Sequence, residues 1–172
     1  TKAEPAELRQ LEDQRCIFFP LFMTGYVIAD LLLDSEWCGA QQAVIGSASS
    51  KTGFSAAAFI RAAGFDGTVV GLTGEQNAAF ADGLGCYDQV IPYAQLETLS
   101  NQPSVYIDIA GDVDVRSRLH RHLEDHAVRT LLVGATHWDQ FAKSVDGGSI
   151  SFTDRRQRCV PARVGCHRHT GR

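Results

Sequence analysis

The sequence predicts an α/β fold: a doubly wound parallel sheet of about five strands with helices on both faces. Three observations carry this expectation. Short runs of strand character at residues 43–45, 68–72, 88–91, 105–109 and 127–134 alternate with segments whose apolar residues recur at helical spacing. The first run passes through residues 46–50, a turn with almost no side-chain bulk, directly into a helix. The chain has 172 residues, 44% hydrophobic and 21% charged, which suits one domain with a real core.

The elements are justified in chain order. Residues 1–15 are polar and read as an exposed, partly helical lead-in; residues 16–19 form a short apolar run that Pro20 ends. A helix is expected over 21–33, with Leu21, Phe22, Tyr26, Ala29, Leu32 and Leu33 toward one side, and Trp37, Cys38 and Gly39 connect it to the first strand. After that strand and its turn, Phe54, Ala56, Ala57, Phe59, Ile60 and Ala63 give a helix a face for packing on the sheet. Thr68 to Leu72 is a β-branched strand. Residues 75–84 are a helix packing through Ala78, Ala79, Phe80 and Leu84 and closed by Gly83 and Gly85. The strand at 88–91 leads to Pro92 and a helical turn at 96–99. The strand at 105–109 leads to a helix over 113–124 with Val115, Leu119 and Leu123 on one side. Beyond Ala135 the pattern decays, and a sixth strand has only a weak candidate at 149–152. The chain thus divides into a lead-in segment and helix at 1–34, a nucleotide-binding domain at 35–145 and an irregular basic tail at 146–172.

Charge separates the tail from the body. Residues 155–172 hold six arginines and no acid; the rest holds ten Lys and Arg against all twenty acids, a net of −10. An acidic body offers no footprint for nucleic acid. Residues 17–33 are the only stretch apolar enough to suggest a membrane span, and Pro20, Gly25 and Asp30 argue against one. No signal peptide is legible, so the expectation is a cytoplasmic protein with no membrane partner. Cys16, Cys38, Cys86, Cys159 and Cys166 show no C-x-x-C spacing and are expected to be free, buried thiols.

The chemistry centres on residues 46–53. A strand feeding a helix through small residues points free backbone N–H groups and the positive end of the helix dipole at one spot, which suits the pyrophosphate of a dinucleotide. The candidate binding residues are Ser47, Ala48, Ser49, Ser50, Lys51, Thr52 and Gly53. The G-x-G-x-x-G pattern is not met, because Ser50 and Lys51 stand where glycines would ease phosphate approach, and the loop is one residue too short for a P-loop. The second strand ends at Leu72–Thr73 without an acid at its tip to hold a ribose hydroxyl. Thr73 and Asn77 are placed to bond a 2′-phosphate and Lys51 adds positive charge, so NADP is favoured slightly over NAD. Glu75 reads as a helix N-terminal acid favoured by the dipole.

Catalytic residues are not assigned: Tyr26, Tyr106 and His137 are possible acids with nothing tying them to a substrate, and no G-x-S-x-G elbow occurs. No metal site is expected. His120, His122 and His126 read as a solvated helix face, and Cys159, Cys166, His167 and His169 match no standard zinc spacing.

The segments PLFMTGYVIADLL, VIGSASSKTGFSAAAFI, VVGLT, LGCYDQVIPY, VYIDIAGD and LLVGATHWD together resemble a poorly characterised family distantly similar to zinc-independent medium-chain dehydrogenase/reductases, with quinone-reductase-like enzymes as the nearest characterised relatives. The likeness spans roughly residues 17–140 and implies a Rossmann-like domain. Ser47 to Gly53 take the positions of the family's G-A-S-G-G-V-G loop. VIPY resembles a V-I-N-Y segment and implies that Tyr93 lies near the adenosine phosphate. VYIDIAG implies Asp108 and Gly111 near the nicotinamide side, and LLVGATH places Gly134 and Ala135 there. Such enzymes carry a catalytic domain ahead of the nucleotide domain and continue past the fifth strand. Residues 1–20 are too short to be that domain, which implies a truncated or frame-shifted product or a fragment. Three readings follow: the NAD(P)-binding domain of an oxidoreductase-like protein, homo-oligomeric or not; a degenerate domain without cofactor, serving as an interaction module or a non-functional remnant; or a binder of another nucleotide-like molecule.

Overall fold

The computed structural model describes residues 11–134. Helix α1 (Glu12–Asp34) leads through a 3-10 turn (Glu36–Gly39) to β1 (Gln42–Ile45). The remaining order is α2 (Lys51–Ala62), β2 (Thr68–Thr73), α3 (Glu75–Gly83), β3 (Gln89–Pro92), a 3-10 turn (Tyr93–Thr98), β4 (Ser104–Asp108), α4 (Val113–Leu123), a short 3-10 turn (Glu124–His126) and β5 (Ala127–Leu132).

The five strands form one parallel sheet in the order β3-β2-β1-β4-β5. Starting at β1, the sheet grows first toward β3, then returns to the other side of β1 and grows toward β5. The loops after β1 and β4 therefore diverge from adjacent strands and open a crevice at the carboxyl edge. All four residues of β1 and all five of β4 are buried, as befits central strands covered on both faces.

Alternation along the strands builds two cores. Ala43, Ile45, Val69, Val105 and Ile107 pack with Ala56, Ala57 and Ile60 of α2 and Ile28, Ala29 and Leu32 of α1. On the opposite face Val44, Val70, Leu72 and Tyr106 pack with Leu96, Leu99 and the Val115, Leu119 and Leu123 stripe of α4. That stripe is the one its sequence period predicts.

Helix α1 corrects the sequence reading. It is 23 residues long and continuous, and neither Pro20 nor Gly25 interrupts it. Proline removes one N–H donor and leaves the rest of the ladder intact, so a helix with tertiary support past the proline survives it. Thr24 Oγ1 donates to Pro20 O at 2.9 Å one turn on. By length and composition α1 is able to cross a membrane, yet Gly25, Ile28, Ala29 and Leu32 bury against the domain. Phe22, Tyr26 and Leu33, expected to pack, are 37 to 49% exposed. Rings nevertheless meet edge to face across the α1–α2 contact, Phe22 with Phe54 at 5.9 Å and Tyr26 with Phe59 at 5.7 Å.

Two other expectations shift. In α3 only Ala81 is buried, while Ala79 and Phe80 are exposed; an alanine- and glycine-rich segment carries too little apolar contrast to fix its phase. The connection after α1 is a left-handed turn, with φ of 50°, 55°, 54° and 71° at Glu36, Trp37, Cys38 and Gly39. Side chains other than glycine's disfavour this geometry, and the Trp37 ring, 4.9 Å from that of Phe65, holds it in place. Among the cysteines, Cys16 is exposed and free, Cys86 is half-buried and free, and Cys38 is disulfide-bonded, against the expectation of free, buried thiols throughout. Ala135, the sixth-strand candidate, His137, Cys159, Cys166, His167 and His169 lie outside the described residues.

At Gly25, α1 packs directly on the backbone of α2. A Cβ there would meet Ser55 Oγ and lie 2.7 Å from Ala56 N. Gly25→Val should therefore destabilise the fold by roughly 1–3 kcal/mol, read as a lower urea midpoint at unchanged slope.

Candidate functional site

The crevice is floored by the loop after β1. Most of its backbone donors are spent. Gly46 N bonds Ile107 O at 2.9 Å, Ala48 N bonds Leu72 O at 2.9 Å, and Ser50 N bonds Ser47 O at 2.8 Å. Ser47 N donates to Tyr93 Oη at 2.8 Å, and Ser50 Oγ caps α2 by accepting from Gly53 N at 3.0 Å. Among the described residues this leaves the N–H groups of Ser49, Lys51 and Thr52 without a protein acceptor. They cluster at the start of a 12-residue helix, where unpaired donors and the helix dipole both favour an anion.

Close packing shapes this loop. A Cβ on Gly53 would lie 2.6 Å from Ser47 O, so only glycine lets the first turn of α2 seat against the loop. A Cβ on Gly46 would lie 2.9 Å from Tyr106 Oη, and one on Gly71 would lie 2.7 Å from Ala48 Cβ. Ser47 itself has a φ of 53°, a left-handed geometry that a serine adopts at a cost.

Three tyrosines wall the loop. Tyr93 Oη accepts from Ser47 N, Tyr87 Oη donates to Ala48 O at 2.9 Å, and Tyr106 Oη lies against Gly46. Burial pushes the hydroxyls of Tyr87 and Tyr106 well above the ordinary tyrosine range, so both stay protonated. Tyr106 is 1% exposed and its ring belongs to the core packed against α4. The role of Tyr87 is absent from the sequence reading. Its signal was Gly71, a glycine inside a β-branched strand, which marks a place where another group approaches closely.

The site residues named from sequence divide into those brought to the loop and those turned elsewhere. Ser47 to Gly53 form it. Thr73, 1% exposed, donates from Oγ1 to Ser49 Oγ at 3.2 Å, and Tyr93 closes it from the side. Asn77 is exposed in the first turn of α3. Lys51 turns its ammonium away, 5.3 Å from the Phe18 ring centroid on α1. Tyr26 is on α1, edge to face with Phe59. The three histidines do not converge: His120 Nε2 pairs with Thr130 Oγ1, His122 Nε2 with Leu99 O and His126 Nδ1 with Asn101 Oδ1.

Asp108 organises the opposite wall. Its Oδ1 accepts from Gly111 N at 2.8 Å and its Oδ2 from Arg116 Nη1 at 2.9 Å, which fixes the turn after β4 with Gly111 at a φ of 71°. Its carbonyl accepts from Val133 N at 2.9 Å and Gly134 N at 3.5 Å, tying in the end of β5. A side chain at Gly134 would run into Ile109 O. The Asp108 carboxylate is thus committed to the protein, where it and its carbonyl hold the turns at Gly111 and Gly134.

Burial raises the Asp108 pKa above its ordinary 3.8, outweighing the lowering effects of Gly111 and Arg116. An acid with a raised folded-state pKa contributes stability that is full below the unfolded value and is lost as pH rises through the folded value. Asp108→Asn keeps an acceptor for Gly111 without the charge. The wild type should therefore lose thermal stability relative to Asp108→Asn as pH rises from about 3.5 to 7, read as the Tm difference across a pH series.

A family model described as "Protein of unknown function (DUF2855)" matches residues 1–162, a span that enters the arginine-rich tail. No curated protein matches. Among solved structures, the chain is similar to YhdH of Escherichia coli K-12 with bound NADPH, at 20% identity and a TM-score of 0.46, over 64% of this chain and 37% of that one. It is also similar to the quinone oxidoreductase from Coxiella burnetii, at 18% identity and a TM-score of 0.42, over 70% of this chain and 45% of that one. The chain spans less than half the length of either.

Proposed function

The chain belongs to the family described as "Protein of unknown function (DUF2855)", and on that footing we propose that it is the NAD(P)-binding domain of an oxidoreductase-like protein. The observation that carries this reading is the trio of unpaired N–H groups on Ser49, Lys51 and Thr52 at the carboxyl edge where the sheet reverses its growth.

The residues present fit a pyrophosphate. The substitutions that break the glycine pattern do not block the trio: Ser50 turns its hydroxyl onto Gly53 N, and Lys51 turns its amine onto Phe18. Gly53 keeps the helix start close to the loop. In this reading the N–H groups of Ser49, Lys51 and Thr52 hold the phosphates. Thr73 and Asn77 flank the adenosine side with Tyr93. The backbone at Gly111 and Gly134, set by Asp108, lines the nicotinamide side. The absence of an acid at the tip of β2 favours NADP slightly over NAD. The bound cofactor would supply hydride transfer, while the protein binds and orients it. The chemistry belongs to a cytoplasmic protein in this reading, with the catalytic residues unassigned.

A second reading has one observation in its favour. Tyr93 already occupies the N–H of Ser47, as expected of a domain that has ceased to bind a dinucleotide and acts as an interaction module.

Calorimetric titration with NADPH, NADH and ATP separates the two. Micromolar NADPH binding, weaker for NADH, supports the first. Ser49→Asp places a carboxylate beside the trio and should weaken NADPH binding at least about tenfold, near 1.4 kcal/mol. No binding by any of the three nucleotides, from a chain folded by circular dichroism, favours the second.

A further inference from the structure

The loop after β1 contains a β-turn over Ser47 to Ser50, closed by the bond from Ser50 N to Ser47 O at 2.8 Å. Its central peptide joins Ala48 to Ser49 and carries both the carbonyl of Ala48 and the unpaired N–H of Ser49. A trans peptide is planar, so these two groups point opposite ways. The closing bond does not fix which way each points, because turns of types I and II share it and differ by a flip of the central peptide. Neither Ala48 nor Ser49 has the positive φ that the flipped types require, so the turn is of type I.

Tyr87, in the connection before β3, holds the peptide in that orientation. Its hydroxyl donates to Ala48 O at 2.9 Å, and among the described residues no other donor reaches this carbonyl. Tyr87 is itself held from two sides. Gly71 leaves room for the ring, since a Cβ there would come within 3.1 Å of Tyr87 Cδ1. The next residue, Asp88, donates from its N to Val69 O at 2.9 Å, accepts on Oδ2 from Val69 N at 2.7 Å and pairs with Arg61.

We propose that Tyr87 is a positioning residue for the dinucleotide: by holding Ala48 O it turns the Ser49 N–H away from itself and keeps that donor with those of Lys51 and Thr52. This rests on the cofactor reading above and assigns one side chain to the orientation of its phosphate contacts. Removing the hydroxyl orphans the carbonyl of Ala48, a fully buried residue. An unmet buried acceptor costs as much as a left-handed serine, which is what the flip requires at Ser49. The loop already bears one such serine, Ser47, with a φ of 53°. Without the hydroxyl, the peptide therefore turns and the Ser49 N–H leaves the trio.

The test compares the full, isotope-labelled chain with Tyr87→Phe, which keeps the ring and loses the hydroxyl. In the wild type, the residual dipolar coupling of the Ser49 amide should fit the Ala48–Ser49 plane. In Tyr87→Phe it should depart from that value while the couplings in β1 and α2 stay. NADPH affinity should then fall about tenfold, with the circular dichroism spectrum unchanged. Thr24→Ala removes another hydroxyl-to-carbonyl bond of 2.9 Å, on α1, and should move neither readout. A wild-type coupling that misses the plane, a Tyr87→Phe coupling equal to the wild type's, or an unchanged NADPH affinity where the coupling has moved overturns the proposal. A wild type that binds no NADPH overturns the cofactor reading and the ligand named here with it, while the couplings decide separately whether Tyr87 orients the Ser49 N–H.

Discussion

No side-chain atom fits between the first turn of α2 and the loop that precedes it. With a Cβ on Gly53 only 2.6 Å from Ser47 O, the helix seats against β1 or the unit does not form. From this contact the rest follows. The loop is drawn tight enough for Ser47 to take a left-handed geometry, for Ala48 to bond across to Leu72, and for Ser50 to cap the helix. The three N–H groups left without an acceptor among the described residues, those of Ser49, Lys51 and Thr52, are a by-product of that seating. The Lys51 ammonium, which lies over the Phe18 ring, takes no part in that arrangement.

The central strand–turn–helix and the five-strand alternation were legible in the sequence because β-branched runs and small-residue turns are local signals. So was the packing face of α4, where Val115, Leu119 and Leu123 stand out from charged neighbours. The continuity of α1 was not. A proline rule weighs one lost hydrogen bond, whereas the helix is held by Gly25, Ile28, Ala29 and Leu32 packing on elements distant in sequence. The tyrosine wall was only half legible. Tyr93 came from a family likeness, but Tyr87 reaches the loop from the connection before β3 and Tyr106 from β4, and no pattern within a single segment encodes that convergence.

Asp108 shows a related limit. An acid at a strand end in such a sheet reads as a ligand contact, yet both of its oxygens are taken by Gly111 and Arg116. Its carbonyl also gathers the end of β5. The family likeness implied a place near the nicotinamide side for Asp108, while the side chain's commitment depends on Arg116, eight residues on. The burial that raises its pKa belongs to this structural role.

The left-handed turn at Glu36–Gly39 fixes more than a change of direction. With Trp37 pinned on Phe65, it acts as a clutch that sets the rotation of α1 about its own axis. One residue added to or removed from this junction would turn the helix by about 100°. The small residues that nest against α2 would swing away and bulky aromatic ones would take their place. The length of this segment should therefore be far less tolerant of change than an exposed connection between two elements ordinarily is.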